Sequence, residues 1–444
     1  MLDRGYPSTV CPNENAGSSR ATSSKSPLPN PPSPLRRERG EYDLNPSPVA
    51  TGEGLLRRRR ATAGLQDLAS VRSRATSRRH GAIRKPAGRL PGAMTEPTHA
   101  LPVDSVRALL PRWDPRREPA VPLAGGYSHR VHAIGDDHVL RMTPSTRAPR
   151  LRHEAVVLDA LSNRPDLDPV RSVLPRVIGE IDGDSSSDPQ WHGWRGILVK
   201  RFPGTNAFRA WLDAAAAVRR RWIHDAVTAL RAVHGFGRPG TGRADHDARG
   251  SSSYVVGWYG TRIEDAGPDW RDAHRRYLSA LRGLLSDRPH AETRALVEVS
   301  LAACADRLDA MVNAFGPRPG HGDLHLHNVI VSGQSVTGII DWEWGGHTEP
   351  DADLAHLLRW SLFPAHPADE DLEDRVSARD FVDVAPAIWA AYPEVAALRD
   401  LEARLFTYLV EHDLHQLVAH PDSTQAVARL EAWHGGACRE LLPA

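Results

Sequence analysis

Apolar and polar positions change period several times along the chain, and those changes predict its elements. Residues 329–331 and 336–340 are short, mostly β-branched runs separated by Ser332-Gly333-Gln334-Ser335, the pattern of two strands joined by a tight turn. A polar loop, His321-Gly322-Asp323-Leu324-His325-Leu326-His327-Asn328, leads into this hairpin, which ends on Asp341. Upstream, residues 123–131 and a run ending at Val139-Leu140-Arg141-Met142 flank Gly135-Asp136-Asp137 and predict a second hairpin. Ile197-Leu198-Val199 reads as a further strand, with Lys200 beyond it facing solvent.

A helical period takes over elsewhere. Residues 149–161 set Leu151, Ala155, Leu158 and Leu161 on one stripe, and Glu154 falls inside that stripe. A carboxylate on an apolar face is costly without a partner, and Arg141 on the preceding strand is the candidate cation. Residues 207–218, 222–234, 269–285 and 292–315 predict four more helices, with His234 as a satisfied core histidine. Another helix starts at Pro350 and continues to Trp360, and the C-terminal third is helical as well.

Residues 1–93 follow no period. They are rich in Pro, Ser, Gly and Arg and predict a disordered basic extension, Arg57 to Arg60 being its most basic run. Globular patterning starts near Val103, so Met94 is a candidate start, a reading that peptides from residues 1–93 in the native protein would exclude. The net charge of +1 hides an asymmetry: the first 93 residues carry 17 Lys plus Arg against 7 Asp plus Glu, and the remainder 39 against 48. An acidic body speaks against a nucleic-acid partner. Cys11, Cys304 and Cys438 are too few and too scattered for a disulfide framework or a zinc site, which fits a reducing cytoplasm. No apolar run reaches the ~18 residues of a membrane span, and the N-terminus lacks the apolar core of a signal peptide.

The chemistry concentrates in residues 321–353. A carboxylate five residues before an asparagine can accept a hydroxyl proton while the amide oxygen holds a metal. A second carboxylate after the hairpin can complete an oxygen shell of the kind Mg²⁺ takes, with positions left for water and phosphate. Phosphoryl transfer asks for this, because positioning and charge neutralisation carry most of its catalysis.

His321-Gly322-Asp323 with Asn328, followed by Ile339-Ile340-Asp341-Trp342-Glu343, resembles the catalytic and metal-binding loops of the aminoglycoside phosphotransferase and choline kinase family, itself similar to protein kinases. The resemblance implies a protein-kinase-like, two-lobed α+β fold. It implies a nucleotide-binding N-lobe of antiparallel strands over residues 100–203, and a mainly helical C-lobe for catalysis and acceptor binding over residues 204–444. It makes Asp323 the catalytic base, Asn328 and Asp341 the Mg²⁺ ligands, and Gly125, Gly126, Ser128, Arg141 and Glu154 the ATP-binding set. Arginine stands at position 141 where protein kinases carry lysine. Lys200 to Gly204 would be the hinge, and Asp353 would brace the catalytic loop, as His321 would through hydrogen bonds.

The implied reaction is ATP- and Mg²⁺-dependent transfer of the γ-phosphoryl group to a hydroxyl of a small molecule, aminoglycoside-like or a metabolite such as choline, a sugar or a homoserine-like compound. A catalytically weak nucleotide-binding regulator is the reading from another class. Tyr254, Trp258, Tyr259 and Trp270 are either a stacking wall for the acceptor or core packing. The acidic run at 369–374 is either a site for a cationic acceptor or a solvated loop. His321, His325, His327 and His347 are rejected as a zinc cluster, because neither cysteine nor His-Glu-x-x-His accompanies them.

Overall fold

The strand pattern around Arg141 becomes a five-stranded antiparallel sheet. The structure, a computed structural model, describes residues 120–123, 129–187, 189–236, 255–256, 267–286, 291–364, 372 and 374–443. Strands β1 (Ala120–Pro122), β2 (Arg130–Ile134), β3 (His138–Pro144), β4 (Val177–Asp182) and β5 (Trp194–Lys200) lie in the order β1-β2-β3-β5-β4. Side chains alternate across a strand, so Leu140 and Met142 enter a small core with Ile134, Ile181 and Trp191, while Arg141 between them faces the other way. Helix α1 (Ala148–Ser162) packs on β5 and buries Leu151, Ala155, Leu158 and, with them, Glu154. Lys200 is exposed.

From β5 the chain passes Phe202 into β6 (Thr205–Asn206), which pairs with the predicted hairpin. A Cβ on Gly338 would overlap the Phe202 ring, so glycine there lets the connection lie against the hairpin. Helices α2 (Ala207–Trp211), α3 (Ala216–Val233), α4 (Trp270–Leu285) and α5 (Ala291–Ala305) follow. Then come β7 (Arg318–Gly320), the hairpin strands β8 (Val329–Ser332) and β9 (Ser335–Ile339), and β10 (Gly346–Thr348), which pairs with β7. Helices α6 (Pro350–Leu362), α7 (Val384–Ala391), α8 (Pro393–Ala396), α9 (Leu401–Ala419) and α10 (Thr424–His434) complete the larger lobe.

Helix α9 is its axis. It packs against α4, α5, α6 and α10 and buries Leu405, Leu409, Val410, Leu414 and Leu417; each such leucine contributes about 1.5–3 kcal/mol of transfer free energy. Arg404 docks this helix on α6 through Asp351, at 2.5 and 2.9 Å, and donates to the carbonyls of Ala310 (3.1 Å) and Val312 (2.6 Å).

Two helices are shorter than their apolar spacing predicts. Residues 207–218 break after Trp211, which is locked by Nε1–H donation to Asp380 O (2.7 Å) and by stacking on Phe381 with centroids 5.1 Å apart. Residues 292–315 are helical only to Ala305. Val297, Leu301, Cys304 and Met311 keep the helical spacing and are buried, but Met311 is delivered by a 3₁₀ turn (Leu308–Ala310). Asn313 then supports the start of α4 beside its N-cap Asp269, its Oδ1 accepting from Trp270 N (2.8 Å). The readings for residues 1–93, the segment near Val103, Tyr254, Trp258, Tyr259 and most of 369–374 lie outside the described residues. Trp270 is core packing, fully buried and donating to Tyr408 Oη (3.0 Å).

Candidate active site

The loop after β7 is held from behind by one buried carboxylate. Asp353, in the first turn of α6, accepts from His321 N (2.7 Å) and Gly322 N (2.8 Å), and from His234 Nε2 (3.2 Å). Burial would raise its pKa, but His234 and His321 pull it below the usual carboxylate value, so the brace is ionised at neutral pH. Gly322 sits at φ 77° with the Trp344 backbone where a Cβ would stand, so the loop turns there only with glycine. The buried His321 ring then joins loop to hairpin: Nε2–H donates to Ile340 O (2.9 Å), and Nδ1 accepts from Asp323 N (3.2 Å).

Asp323 and Asn328 are thereby fixed relative to each other and to the end of β9. Asn328 Nδ2 donates to Asp323 O (2.9 Å), while Ile340 N donates to Asn328 O (2.8 Å). A carbonyl can only accept, so the Asn328 amide has one orientation, and Oδ1 is the end left for coordination. One residue beyond Ile340 stands Asp341, at φ 70° and ψ 58°, the only non-glycine residue with positive φ among those described. Such a conformation costs on the order of 1–3 kcal/mol and collects at functional sites.

Arg141 reaches the same place from the small lobe. One guanidinium nitrogen pairs with Glu154 of α1, and the other donates to Asp341 Oδ1 (2.7 Å). Burial opposes the Arg141 charge, but Glu154 and Asp341 hold its pKa above the ordinary value. For Glu154, burial comes first: with help from Asp341 and Glu343 it raises the carboxyl to about 7 against the downward pull of Arg141. The segment after Asp341 is tied to the small lobe as well. His129 Nε2 donates to Glu343 (3.1 Å), His153 Nε2 donates to Gly345 O (2.6 Å), and Arg150 lies 4.3 Å over the Trp344 ring.

The five described residues expected at the site thus fall into two connected groups. Glu154, Arg141 and Asp341 form a chain of charges, and Asp323 and Asn328 form a hydrogen-bonded loop one residue away. Gly125, Gly126 and Ser128 lie outside the described residues. Asn328 Oδ1 and the second Asp341 oxygen are hard donors, which suit Mg²⁺ and leave most of its shell to phosphate and water. Among the described residues no group of three or more His, Cys, Asp or Glu is arranged to hold a metal. Of the histidines in the motif, His325 stacks flat on Trp360 (centroids 4.0 Å, 4°) and His327 on Phe208 (4.5 Å).

One neighbour of Asp323 was not anticipated. His356 of α6 places Nδ1 2.7 Å from Asp323 Oδ1. It follows Asp353 by three residues, so both lie on the helix face turned to the loop, a spacing already present in the sequence. Burial alone would raise Asp323, yet His325 and His356 hold its pKa well below the usual carboxylate range, and it is ionised at neutral pH.

Comparison with known proteins follows the same lines. The sequence model of the phosphotransferase enzyme family matches residues 119–398, more than half of the chain. A sequence search of curated proteins finds no match. Among solved structures the chain is similar to aminoglycoside 2'-phosphotransferase-IIIa in its GDP complex, at 12% identity and a TM-score of 0.48, covering 75% of this chain and 97% of that one. Similar also are ADP-bound aminoglycoside phosphotransferase APH(2'')-Ib, at 14% identity and 0.45, with 73% and 94% covered, and aminoglycoside phosphotransferase APH(3'')-Id from Streptomyces rimosus, at 20% and 0.41, with 70% and 96% covered. On the family match, and with a strand-built small lobe above a helical lobe that carries the matching motif, the chain belongs to the phosphotransferase enzyme family and has its two-lobed, protein-kinase-like fold.

Proposed function

We propose that this phosphotransferase moves the γ-phosphoryl group of ATP, with Mg²⁺, to a hydroxyl of a small molecule. The observation that carries the reading is Asp341, turned into the left-handed region at the mouth of the hairpin and held there by Arg141, beside the loop of Asp323 and Asn328. In this reading Asp323 orients the acceptor hydroxyl and takes its proton, which its depressed pKa and buried setting make a matter of placement more than of basicity. Asn328 Oδ1 and Asp341 hold the metal, which when bound neutralises charge on the phosphates. Arg141, kept in place by Glu154, faces the phosphates, with Gly125, Gly126 and Ser128 covering them. The basic extension over residues 1–93, the N-lobe from 100 to 203 and the C-lobe from 204 to 444 are the corresponding division of labour.

A second reading of the acceptor rests on the cavity beside His356. Its walls include Trp270, Tyr277, Trp344 and Tyr408, and its two described carboxylates are engaged, Glu411 with His274 (2.8 Å) and Asp353 with the loop. An ammonium-rich acceptor would need free carboxylates there, so this lining favours a metabolite alcohol over an aminoglycoside. ADP release with Mg²⁺ and ATP, measured over aminoglycosides, choline-like alcohols and sugars, tests both. An acceptor-dependent signal abolished by Asp323→Asn is expected. Nucleotide binding without turnover on any acceptor would favour the regulator.

A further inference from the structure

Two imidazoles flank the Asp323 carboxylate, and their distances from it separate their roles. His325 Nε2 lies 3.6 Å from Asp323 Oδ1, beyond hydrogen-bonding range, and 3.3 Å from Asn328 Nδ2. The Asn328 amide nitrogen can only donate, so His325 Nε2 faces it as an acceptor. Stacking on Trp360 holds the His325 ring in that plane. His356 Nδ1 is the nearer ring nitrogen, 2.7 Å from the same oxygen, but its N–H is not aimed along a hydrogen bond there; catalytic hydrogen bonds often align only once substrates bind.

The surroundings of His356 suit a fixed, neutral donor. Its ring is 6% exposed and packs against His412 of α9 (centroids 4.8 Å) and His325 of the loop (5.9 Å), and Arg359 stands one turn on. Burial, with His325 and Arg359, keeps its pKa below the ordinary value against the upward pull of Asp323. Helix α6 therefore supports the loop twice: Asp353 holds its backbone, and His356 meets its carboxylate.

We propose that His356 is a positioning residue of the transfer reaction, its Nδ1–H turning onto the adjacent Oδ1 of Asp323 when the substrates bind, so that Oδ2 is the oxygen presented to the acceptor hydroxyl. The proposal rests on the reading of Asp323 as the acceptor's base. As the acceptor oxygen bonds to phosphorus and the bond to the ADP oxygen breaks, the hydroxyl proton passes to Oδ2, and His356 keeps its own proton throughout. Placement errors of about 1 Å at such a group cost roughly 100-fold in rate, which sets the expected scale.

The test uses the full chain as wild type, His356→Ala, His356→Asn and Asp323→Asn, with turnover read on an acceptor from the panel or as ATP hydrolysis by water. In His356→Ala, kcat falls by about 10- to 100-fold while KM for ATP stays within about twofold, and the acidic limb of the kcat profile moves to higher pH. His356→Asn, whose amide N–H can stand where Nδ1–H stood, recovers most of the rate and the limb. A merely structural role would lower Tm in both variants and leave the limb in place, and that result overturns the proposal. If Asp323→Asn keeps full turnover, the base assignment itself fails and His356 falls with it. If Asp323→Asn is dead while His356→Ala keeps wild-type kcat and pH limb, only the present inference is lost. A readout without turnover decides the case where no variant can be assayed: ¹⁵N NMR of the wild-type rings is expected to show His356 protonated at Nδ1, and the Nε2–H tautomer would overturn the proposal.

Discussion

Arg141 Nη2 donates to Asp341 Oδ1 at 2.7 Å, across 200 positions of sequence and from one lobe to the other. The same guanidinium meets Glu154, so a single side chain aligns a helix of the small lobe with the end of the β8–β9 hairpin. Lysine has one point of charge and cannot span both carboxylates with a fork. Arg141→Lys is expected to lower kcat/KM for ATP by about 10-fold or more, a loss of roughly 1.4 kcal/mol in transition-state stabilisation. Steady-state kinetics at saturating acceptor checks it, and unchanged kcat/KM would remove Arg141 from the site.

Removing the cation altogether has a different signature. Arg141→Met leaves Glu154 buried without its partner, a defect worth about 3–5 kcal/mol. Adding Glu154→Gln should restore most of that stability and none of the turnover. Denaturant melts of the two single variants and the double variant measure the coupling. Additive losses would show that the buried pair is not the reason.

Asp341 inverts the ordinary ranking of glycine and alanine. In the left-handed region alanine is disfavoured by about 1–2 kcal/mol while glycine is not. Both Asp341→Ala and Asp341→Gly lose the bond to Arg141, so their difference isolates backbone strain. The glycine variant should melt higher, with both inactive. Equal melting temperatures would mean the backbone relaxes once the side chain is gone.

Acid should weaken the fold well above the carboxylate range. Burial pushes His132 down to about 4, helped by Arg130, and His415 down to about 4, helped by His420. His321, His356, His412 and His434 are held below their ordinary value by burial as well. Unfolded, these rings bind protons below pH ~6.5; folded, they resist, so their stability is present above that pH and is lost as pH falls toward 4. Glu154 and Glu411, raised by burial, act oppositely, losing stability as pH rises from ~4.5 through the Glu154 value of about 7. The histidines outnumber them, and Tm at pH 5 should lie on the order of 5 °C or more below Tm at pH 7.5. A flat profile by calorimetry would contradict this balance.

The docking of α9 makes a further case. Arg404 is 1% exposed and satisfies Asp351 and two loop carbonyls. Arg404→Leu should destabilise by about 3–5 kcal/mol, because it leaves buried Asp351 without its cation, with only the Tyr408 hydroxyl (2.9 Å) among the described donors to it. Chemical denaturation reads this directly, and a loss below ~1 kcal/mol would mean solvent reaches the carboxylate.

What the sequence revealed was local. Asp323, Asn328 and Asp341 share one loop and one hairpin, so period and spacing place them. Glu154 betrays its partner because a carboxylate on an apolar stripe must have one, and Arg141 is only 13 positions away. The bond from Arg141 to Asp341 and the approach of His356 to Asp323 depend on how lobes and helices pack, which no local period encodes. Apolar spacing also misled where it ran on past true helix ends, at Trp211 and Ala305. There Asp380 O, and then the 3₁₀ turn that delivers Met311, decide the outcome.

The two oxygen donors proposed for the metal are anchored in different lobes. Asn328 is fastened to the large lobe through the Asp323 carbonyl and the hairpin, whereas the Asp341 side chain is gripped by Arg141 from the small lobe. A ligand held by both would act as a rivet through the seam between lobes. Its affinity would then contain the free energy of bringing the halves together, and its escape would require the seam to part. Whatever stiffens that seam, Arg141 included, would tighten the bound state and slow product departure with the same stroke.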